Sequence, residues 1–189
     1  QIEANHIILA TGSSPRRSGI PGGDLAGTSD TFLELPELPK RIVFIGGGYI
    51  AFEFATVAAY AGSQVTIIDR NKRPLIAFDP DAVQVLLKAA KDAGIRFVSN
   101  EEPLAIEKNG TGLEVQGRSG TSYLADAVFE TTGRTPNLEV LDGDANGVES
   151  TLKGITVTPY LQSVSNPHVY AIGDVANTGF QLATVADQA

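Results

Sequence analysis

The sequence predicts an α/β fold, a parallel β-α-β-α-β sheet with an antiparallel three-stranded meander attached. Three observations predict it. Residues 40–69 (KRIVFIGGGYIAFEFATVAAYAGSQVTIID) run from an apolar, β-branched strand through a glycine turn and an Ala-rich helix into a second apolar strand. Residues 79–98 repeat the order of helix then strand. Beyond them the apolar period shortens toward two, broken by Asn109-Gly110 and Arg118-Ser119-Gly120. A Rossmann-like sheet of this order is half of a doubly wound fold.

Taken in order, residues 1–12 read as a polar lead-in, a buried strand at Ile7 to Ala10 and a stop at Thr11-Gly12. That strand must find its sheet partners elsewhere. Residues 13–37 hold Pro15, Pro21-Gly22-Gly23 and Gly27-Thr28-Ser29, the composition of a connecting arm. One short helix is expected there at Asp30 to Leu35, capped by Ser29 or Asp30. Arg41 to Ile45 form the first strand of the parallel sheet. The helix after it runs to Ala61, and Gly62 closes it in the left-handed region. Val65 to Ile68 make the second strand, ending on Asp69.

Residues 70–78 (RNKRPLIAF) are a basic loop. Asp79 caps the next helix, Pro80 suits its first turn, where no amide hydrogen is needed, and Gly94 ends it. Val83, Leu86, Leu87 and Ala90 recur at helical spacing and are expected to face a sheet. Ile95 to Val98 form the third strand. Leu104 to Glu107, Leu113 to Gln116 and Ser122 to Ala125 make the meander, and Ala127 to Thr131 a further strand. Residues 138–153 are acidic and turn-rich. Ile155 to Val157 and Val169 to Ile172 read as two more strands, and residues 178–189 as the start of a helix.

A hydrophobic content of 42% and a charged content of 19% are those of a globular protein able to bury a good core. No apolar run approaches a membrane span, so no membrane partner is expected. The net charge of −8 argues against nucleic acid, whose phosphates need a basic surface. Zero cysteine leaves no disulfide, thiolate metal site or thiol nucleophile. His6 and His168 lack metal-ligand spacing, and no metal site is expected. Methionine is absent too, which suggests a piece of something longer.

Gly46, Gly48 and Ala51 stand as G-x-G-x-x-A between strand and helix. Gly46 permits the tight turn, Gly48 lets a diphosphate approach the backbone, and Ala51 lets the helix lie close on the sheet. The amides of Tyr49, Ile50 and Ala51 open the helix, where N–H groups and a partial positive charge face a phosphate. Asp69 sits where a carboxylate accepts hydrogen bonds from an adenosine ribose. A merely structural glycine turn is the alternative. Strand before, helix after and acid at the second strand's end favour a bound dinucleotide.

Four landmarks occur in order: Ala10-Thr11-Gly12-Ser13, Gly46 to Glu53 (GGGYIAFE), Thr132 to Asn137 (TGRTPN) and Tyr170 to Asp174 (YAIGD). Together they resemble the flavin-dependent pyridine nucleotide–disulfide oxidoreductases, with glutathione reductase and dihydrolipoamide dehydrogenase nearest in pattern. The resemblance implies that residues 13–133 are an NAD(P)-binding domain inserted in an incomplete FAD-binding domain, residues 1–12 and 134–189. The family's FAD phosphate loop, C-x-x-x-x-C dithiol and C-terminal interface domain have no counterpart in these residues. The implied parent passes hydride from NAD(P)H to FAD and on to a small disulfide or dithiol substrate, as a cytoplasmic homodimer. The chain alone is expected to be inactive, to bind NAD(P)H weakly and to copurify without FAD. A flavoprotein reductase without a dithiol, serving ferredoxin, rubredoxin or oxygen, is the alternative. A non-enzymatic nucleotide sensor would not carry broken FAD strands.

The resemblance also implies roles for single residues. Tyr49 looks like the aromatic lid over the nicotinamide-side pocket of the flavin. Glu53, on the same helix face, looks like the Glu that pairs with a Lys near the flavin. These two are the candidate catalytic residues. Without the resemblance they are an exposed first-turn tyrosine and a carboxylate favoured by the helix's positive end. Gly133 looks like the glycine beside the nicotinamide-side ribose, and Asp174 like the acid on the FAD ribityl chain. Thr11 and Gly12 look like the crossover contact between domains.

The choice of nicotinamide cofactor is contested by neighbouring residues. Asp69 favours NAD, because a carboxylate repels the 2′-phosphate of NADP. Arg70, with Lys72 and Arg73 behind it, could instead bind that phosphate. Arg70 falls where glutathione reductases carry a phosphate-binding Arg, while their second such Arg corresponds to Ile76. The balance leans to NADH with dual use open, and replacing Asp69 by Ala is expected to weaken NADH and improve NADPH.

Overall fold

The computed structural model describes residues 3–141, 147–179 and 186. In chain order the first elements are β1 (Ile7–Leu9), β2 (Ser13–Pro15), α1 (Ser29–Leu33), β3 (Arg41–Ile45), α2 (Tyr49–Tyr60) and β4 (Gln64–Ile68). There follow α3 (Pro80–Asp92), β5 (Arg96–Val98), β6 (Pro103–Asn109), β7 (Gly112–Gly117), β8 (Ser122–Ala125) and β9 (Ala127–Glu130). The last are β10 (Arg134–Pro136), β11 (Ser150–Thr151), β12 (Gly154–Ile155) and β13 (Val169–Ala171). The chain divides into two compact units, residues 15–133 and residues 1–14 with 134–189.

Three layers make up the unit 15–133. Its middle layer is a parallel sheet in the order β5-β4-β3-β9. Alternate residues of β3 serve opposite faces: Ile42 and Phe44 join the helices, Val43 and Ile45 the meander. Burial on both faces is why this strand is a continuous apolar run rather than an alternating one. On the helical side Ala51, Ala55 and Ala58 bring α2 close to the sheet, and Val83 and Ala90 of α3 are buried. Leu86 and Leu87 pack at the rim of that core. Phe32 of α1 stacks on Phe54 at 4.4 Å between ring centroids and meets Phe129 edge-on at 5.2 Å.

The meander β6-β7-β8 is a separate antiparallel sheet, not an extension of the parallel one. Its Ile106, Val115, Tyr123 and Ala125 pack against Val43, Ile45, Ile68 and Val128. Alternation in the sequence marks one buried face per strand, and that face is used to cover a layer.

In the unit of residues 1–14 with 134–189, β1 lies parallel to β13, from Ile7 beside Val169 to Leu9 beside Ala171. The opening strand thus takes its partner from the far end of the sequence. Ile155, Ala171, Val175 and Leu141 form a small core that Leu9 joins.

Several expected details shift. Ile7 and Ile8, read as buried, are 50% and 63% exposed in the two-stranded pair. The short helix is capped by Thr28, not by Ser29 or Asp30. Thr28 and Thr31 bond each other's backbone in a capping box, which recruits the residue before the expected caps. Strand β12 stops at Ile155, and Val157 makes only an isolated bridge to Ser163. The helix expected over 178–189 lies almost wholly outside the described residues. Among the described residues no helix is long and apolar enough to cross a membrane, and no His/Asp/Glu group could hold a metal.

Candidate functional site

From β3 the chain passes through α2 to β4 on one side, while β9 lies on the other side of β3. The direction of winding reverses between β3 and β9, and such a reversal opens a crevice beyond the carboxyl ends of the strands. Gly46 leaves β3 at this point and Thr131 leaves β9 beside it. The Thr131 amide and hydroxyl both donate to the Ile45 carbonyl, at 2.8 and 2.9 Å, and the hydroxyl also reaches the Gly46 carbonyl at 3.1 Å.

The glycine turn is packed tightly on one side and open on the other. At Gly46, with φ of +105°, an added Cβ would lie 2.8 Å from the Thr131 carbonyl oxygen. At Gly47 it would lie 2.3 Å from Asp69 Oδ2 and 3.1 Å from Pro74 Cβ. At Gly48 the nearest atom would be that same Thr131 oxygen at 3.7 Å, so this residue has room above it. Gly48 is the N-cap of α2 and supplies no side-chain acceptor. The amides of Ile50 and Ala51 in the first turn have no acceptor among the described residues. Ala51 is fully buried against the sheet. A turn with unclaimed N–H groups, a helix N-terminus and space at Gly48 suits an anionic diphosphate.

Asp69 is 5% exposed, and its carboxylate is already engaged. Oδ2 accepts the Gly47 N–H at 3.1 Å, while Oδ1 accepts the Asn71 N–H and Nδ2–H, each at 2.9 Å. Three donors keep a nearly buried charge satisfied. The Gly47 carbonyl in turn accepts the Leu75 N–H at 3.0 Å, with Leu75 at φ +50°. The glycine turn is therefore braced by the loop after β4 through both sides of one residue.

Within that loop the basic residues part company. Arg73 donates to the carbonyls of Ile76 at 2.8 Å and Phe78 at 3.0 Å, closing the loop on itself. Arg70 and Lys72 are exposed and make no hydrogen bond or ion pair among the described residues. Behind the loop, Glu101 donates its N–H to the Asp69 carbonyl at 2.9 Å. Its buried carboxylate accepts from the Ser119 hydroxyl, the Ser119 amide at 3.0 Å and Tyr123 Oη at 2.9 Å. The Ser119 hydroxyl above all, then the surrounding amides and Tyr123, hold Glu101 below its ordinary value against the opposing effect of burial. Burial, followed by the neighbouring Glu101, pushes Tyr123 up. This cluster ties the meander to the floor of the Asp69 loop.

Gly133 follows Thr131 and Thr132 along the crevice edge, with φ of +114°. Its carbonyl accepts the Arg16 N–H at 2.9 Å, and the Arg16 side chain donates to the Thr132 carbonyl. Glu130, buried at the end of β9, accepts the Ser18 amide at 3.0 Å and hydroxyl and pairs with Arg17 at 3.4 Å. It thereby anchors Arg17 and Ser18 to the end of β9. On α2, Tyr49 is half-buried and Glu53 exposed, four residues apart on one face.

The other predicted residues come together in the unit of residues 1–14 with 134–189. Thr11 and Asn137 exchange hydrogen bonds at 2.7 and 2.8 Å, and the Gly12 carbonyl accepts the Asn137 N–H at 2.9 Å. Ser13 Oγ donates to Asp174 at 2.8 Å and accepts from Arg134 Nε at 2.7 Å. Sequence reasoning passed over Gly47, Asn71, Thr131 and Arg16. The Asp69-Arg70-Asn71 spacing is an Asx-turn signal that could have flagged Asn71; nothing local marks Thr131 or Arg16.

The family described as pyridine nucleotide-disulphide oxidoreductase matches residues 1–189. Glutathione reductase of Nostoc sp. is 34% identical over 187 residues, 92% of this chain and 40% of that protein. The HOCl-induced flavoprotein disulfide reductase RclA from Escherichia coli superposes with a TM-score of 0.88 at 26% identity, over 98% of this chain and 43% of that one. Water-forming NADH oxidase from Lactobacillus brevis, solved bound to NADH, superposes with a TM-score of 0.84 at 28% identity, over 97% of this chain and 44% of that one. The chain spans less than half the length of each of these relatives.

Proposed function

The chain belongs to the pyridine nucleotide-disulphide oxidoreductase family, and on that premise we propose that residues 13–133 bind NAD(P)H for a flavoprotein disulfide oxidoreductase. The observation that carries this reading is the glycine turn at the point where the sheet's winding reverses. It is held from beneath by Asp69 and has room for a ligand at Gly48.

In this reading the amides near Tyr49, Ile50 and Ala51 and the backbone of Gly46 and Gly48 receive the diphosphate. Asp69 meets the adenosine ribose, and Arg70 is the cation nearest any 2′-phosphate. Gly133 borders the nicotinamide-side ribose, Tyr49 covers the nicotinamide pocket, and Glu53 pairs with a cation near the flavin. Thr11, Gly12 and Asp174 would contribute to holding FAD. The nicotinamide supplies a hydride and the flavin accepts it, while the protein binds, orients and excludes water. NADH is the preferred donor with NADPH also usable, a small disulfide the final acceptor, and the enzyme a cytoplasmic homodimer.

Calorimetric titration of the full chain with NADH and NADPH tests the reading. Saturable binding of at least one is expected, and no binding of either sinks it. The likeness to the NADH oxidase supports a second reading, a flavoprotein reductase without a dithiol. Counting free thiols in the full-length enzyme before and after reduction by NADH separates the two, since only a disulfide reductase gains a pair.

A further inference from the structure

We propose that Asn71 is a positioning residue which, with the Gly47 amide, fixes the Asp69 carboxylate so that it accepts a hydrogen bond from only one of the two adenosine-ribose hydroxyls. The inference rests on the dinucleotide reading and adds which contact recognises the sugar.

A carboxylate has two oxygens with about four acceptor positions between them. Asp69 Oδ1 accepts two donors from Asn71, both at 2.9 Å, and is filled. Oδ2 accepts the Gly47 N–H at 3.1 Å, so one position remains on the whole group. A bidentate grip on the ribose diol needs one acceptor on each oxygen. Freeing Oδ1 means breaking a bond to Asn71, whose carbonyl is itself held by the Asn100 N–H at 3.0 Å. Turning the group instead strands the N–H of Gly47, a buried residue with no space for a Cβ. Both routes lose a hydrogen bond to an ionised group for each one gained.

The test titrates the full chain with NADH and with its analogues lacking the 2′- or the 3′-hydroxyl of the adenosine ribose. One analogue should bind about tenfold or more weakly than NADH, and the other within about twofold. Asn71→Ala removes the Nδ2 donor and returns one acceptor position to Oδ1. The second analogue should then also fall behind NADH, by about fivefold. A purely stabilising role for Asn71 would weaken all three ligands together and leave their ratios unchanged, which overturns the proposal. Equal weakening of both analogues in the unaltered chain, or weakening of neither, overturns it as well. Asn71→Ser keeps a short donor and should restore the one-hydroxyl pattern; if the alanine variant does not fold, loss of that pattern in the serine variant counts against the proposal. A chain that takes up neither NADH nor either analogue refutes the dinucleotide reading itself, whereas tight NADH binding with the wrong analogue pattern refutes only the role of Asn71.

Discussion

Asp69 Oδ2 accepts the N–H of Gly47 at 3.1 Å, so the acid at the end of one strand holds the glycine turn that leaves the neighbouring strand. On the proposed reading, the residue that meets the sugar also shapes the turn that receives the diphosphate. Asp69→Ala should therefore weaken NADH by about tenfold or more. NADPH should gain less than the loss of a repelling charge alone would give, because the Gly47 N–H is left without its acceptor. Asp69→Asn keeps an acceptor for that N–H and should be the tighter of the two variants for NADPH. Calorimetry with both cofactors measures this, and unchanged affinities for both would remove Asp69 from the site.

Gly47 is the second residue of the fingerprint, a position on which the G-x-G-x-x-A pattern makes no demand. A Cβ there would stand 2.3 Å from Asp69 Oδ2 and 3.1 Å from Pro74 Cβ, so one of them must move. Gly47→Ala should cost about 1–3 kcal/mol of stability and most of the dinucleotide affinity. Urea unfolding and titration read the two effects separately. Stability and affinity equal to those of the unaltered chain would mean that the turn accommodates a side chain.

Arg70 and Arg73 look equivalent in a basic loop and differ in what they hold. Arg70 is exposed without a partner among the described residues, whereas Arg73 bonds the Ile76 and Phe78 carbonyls. Arg70→Ala should lower NADPH affinity about tenfold while leaving NADH alone, the cost of one charge-assisted contact to phosphate. Arg73→Ala should weaken both cofactors in proportion, through the loop that braces Gly47. A change in the NADPH-to-NADH ratio in the Arg73 variant, with none in the Arg70 variant, would reverse the assignment.

The hydroxyls and amides around Glu101, the Ser119 hydroxyl first, favour its charged form and hold it below its ordinary value of 4.5. A carboxylate whose folded-state value is depressed stabilises the fold above its unfolded value, and that contribution is lost as pH falls through the folded one. Stability should thus decline on acidification below about 4.5, and Glu101→Gln should flatten part of the slope. Urea midpoints measured through this range check it; an identical slope in variant and parent would place the acid sensitivity elsewhere, with Asp126 beside Arg41 the next candidate.

The central βαβ unit was legible because its constraints are local. A strand buried on both faces must be apolar throughout, a tight turn under a helix needs glycine, and Asp79 followed by Pro80 opens a helix whatever lies around it. Asp79 accepts the amides of Asp81 and Ala82, the contacts that its position in the sequence implies. The short helix runs Ser29–Leu33 rather than Asp30 to Leu35, because two threonines cap each other while Ser29 and Asp30 are equally good caps by type.

Sequence alone determined the order of the elements from β3 to β9, the G-x-G-x-x-A turn and the acid that faces it, because backbone conformation depends on near neighbours. Only the tertiary structure decided that β1 pairs with β13, that the meander is a separate layer, and that Thr131 bonds the Ile45 and Gly46 carbonyls where the turn leaves β3. It also decided that Asp69 is held by Gly47 and Asn71, contacts that leave one acceptor position on its carboxylate. Each of these depends on which surfaces meet across the fold, and alternation or motif spacing in one stretch carries no information about the partner that will cover it.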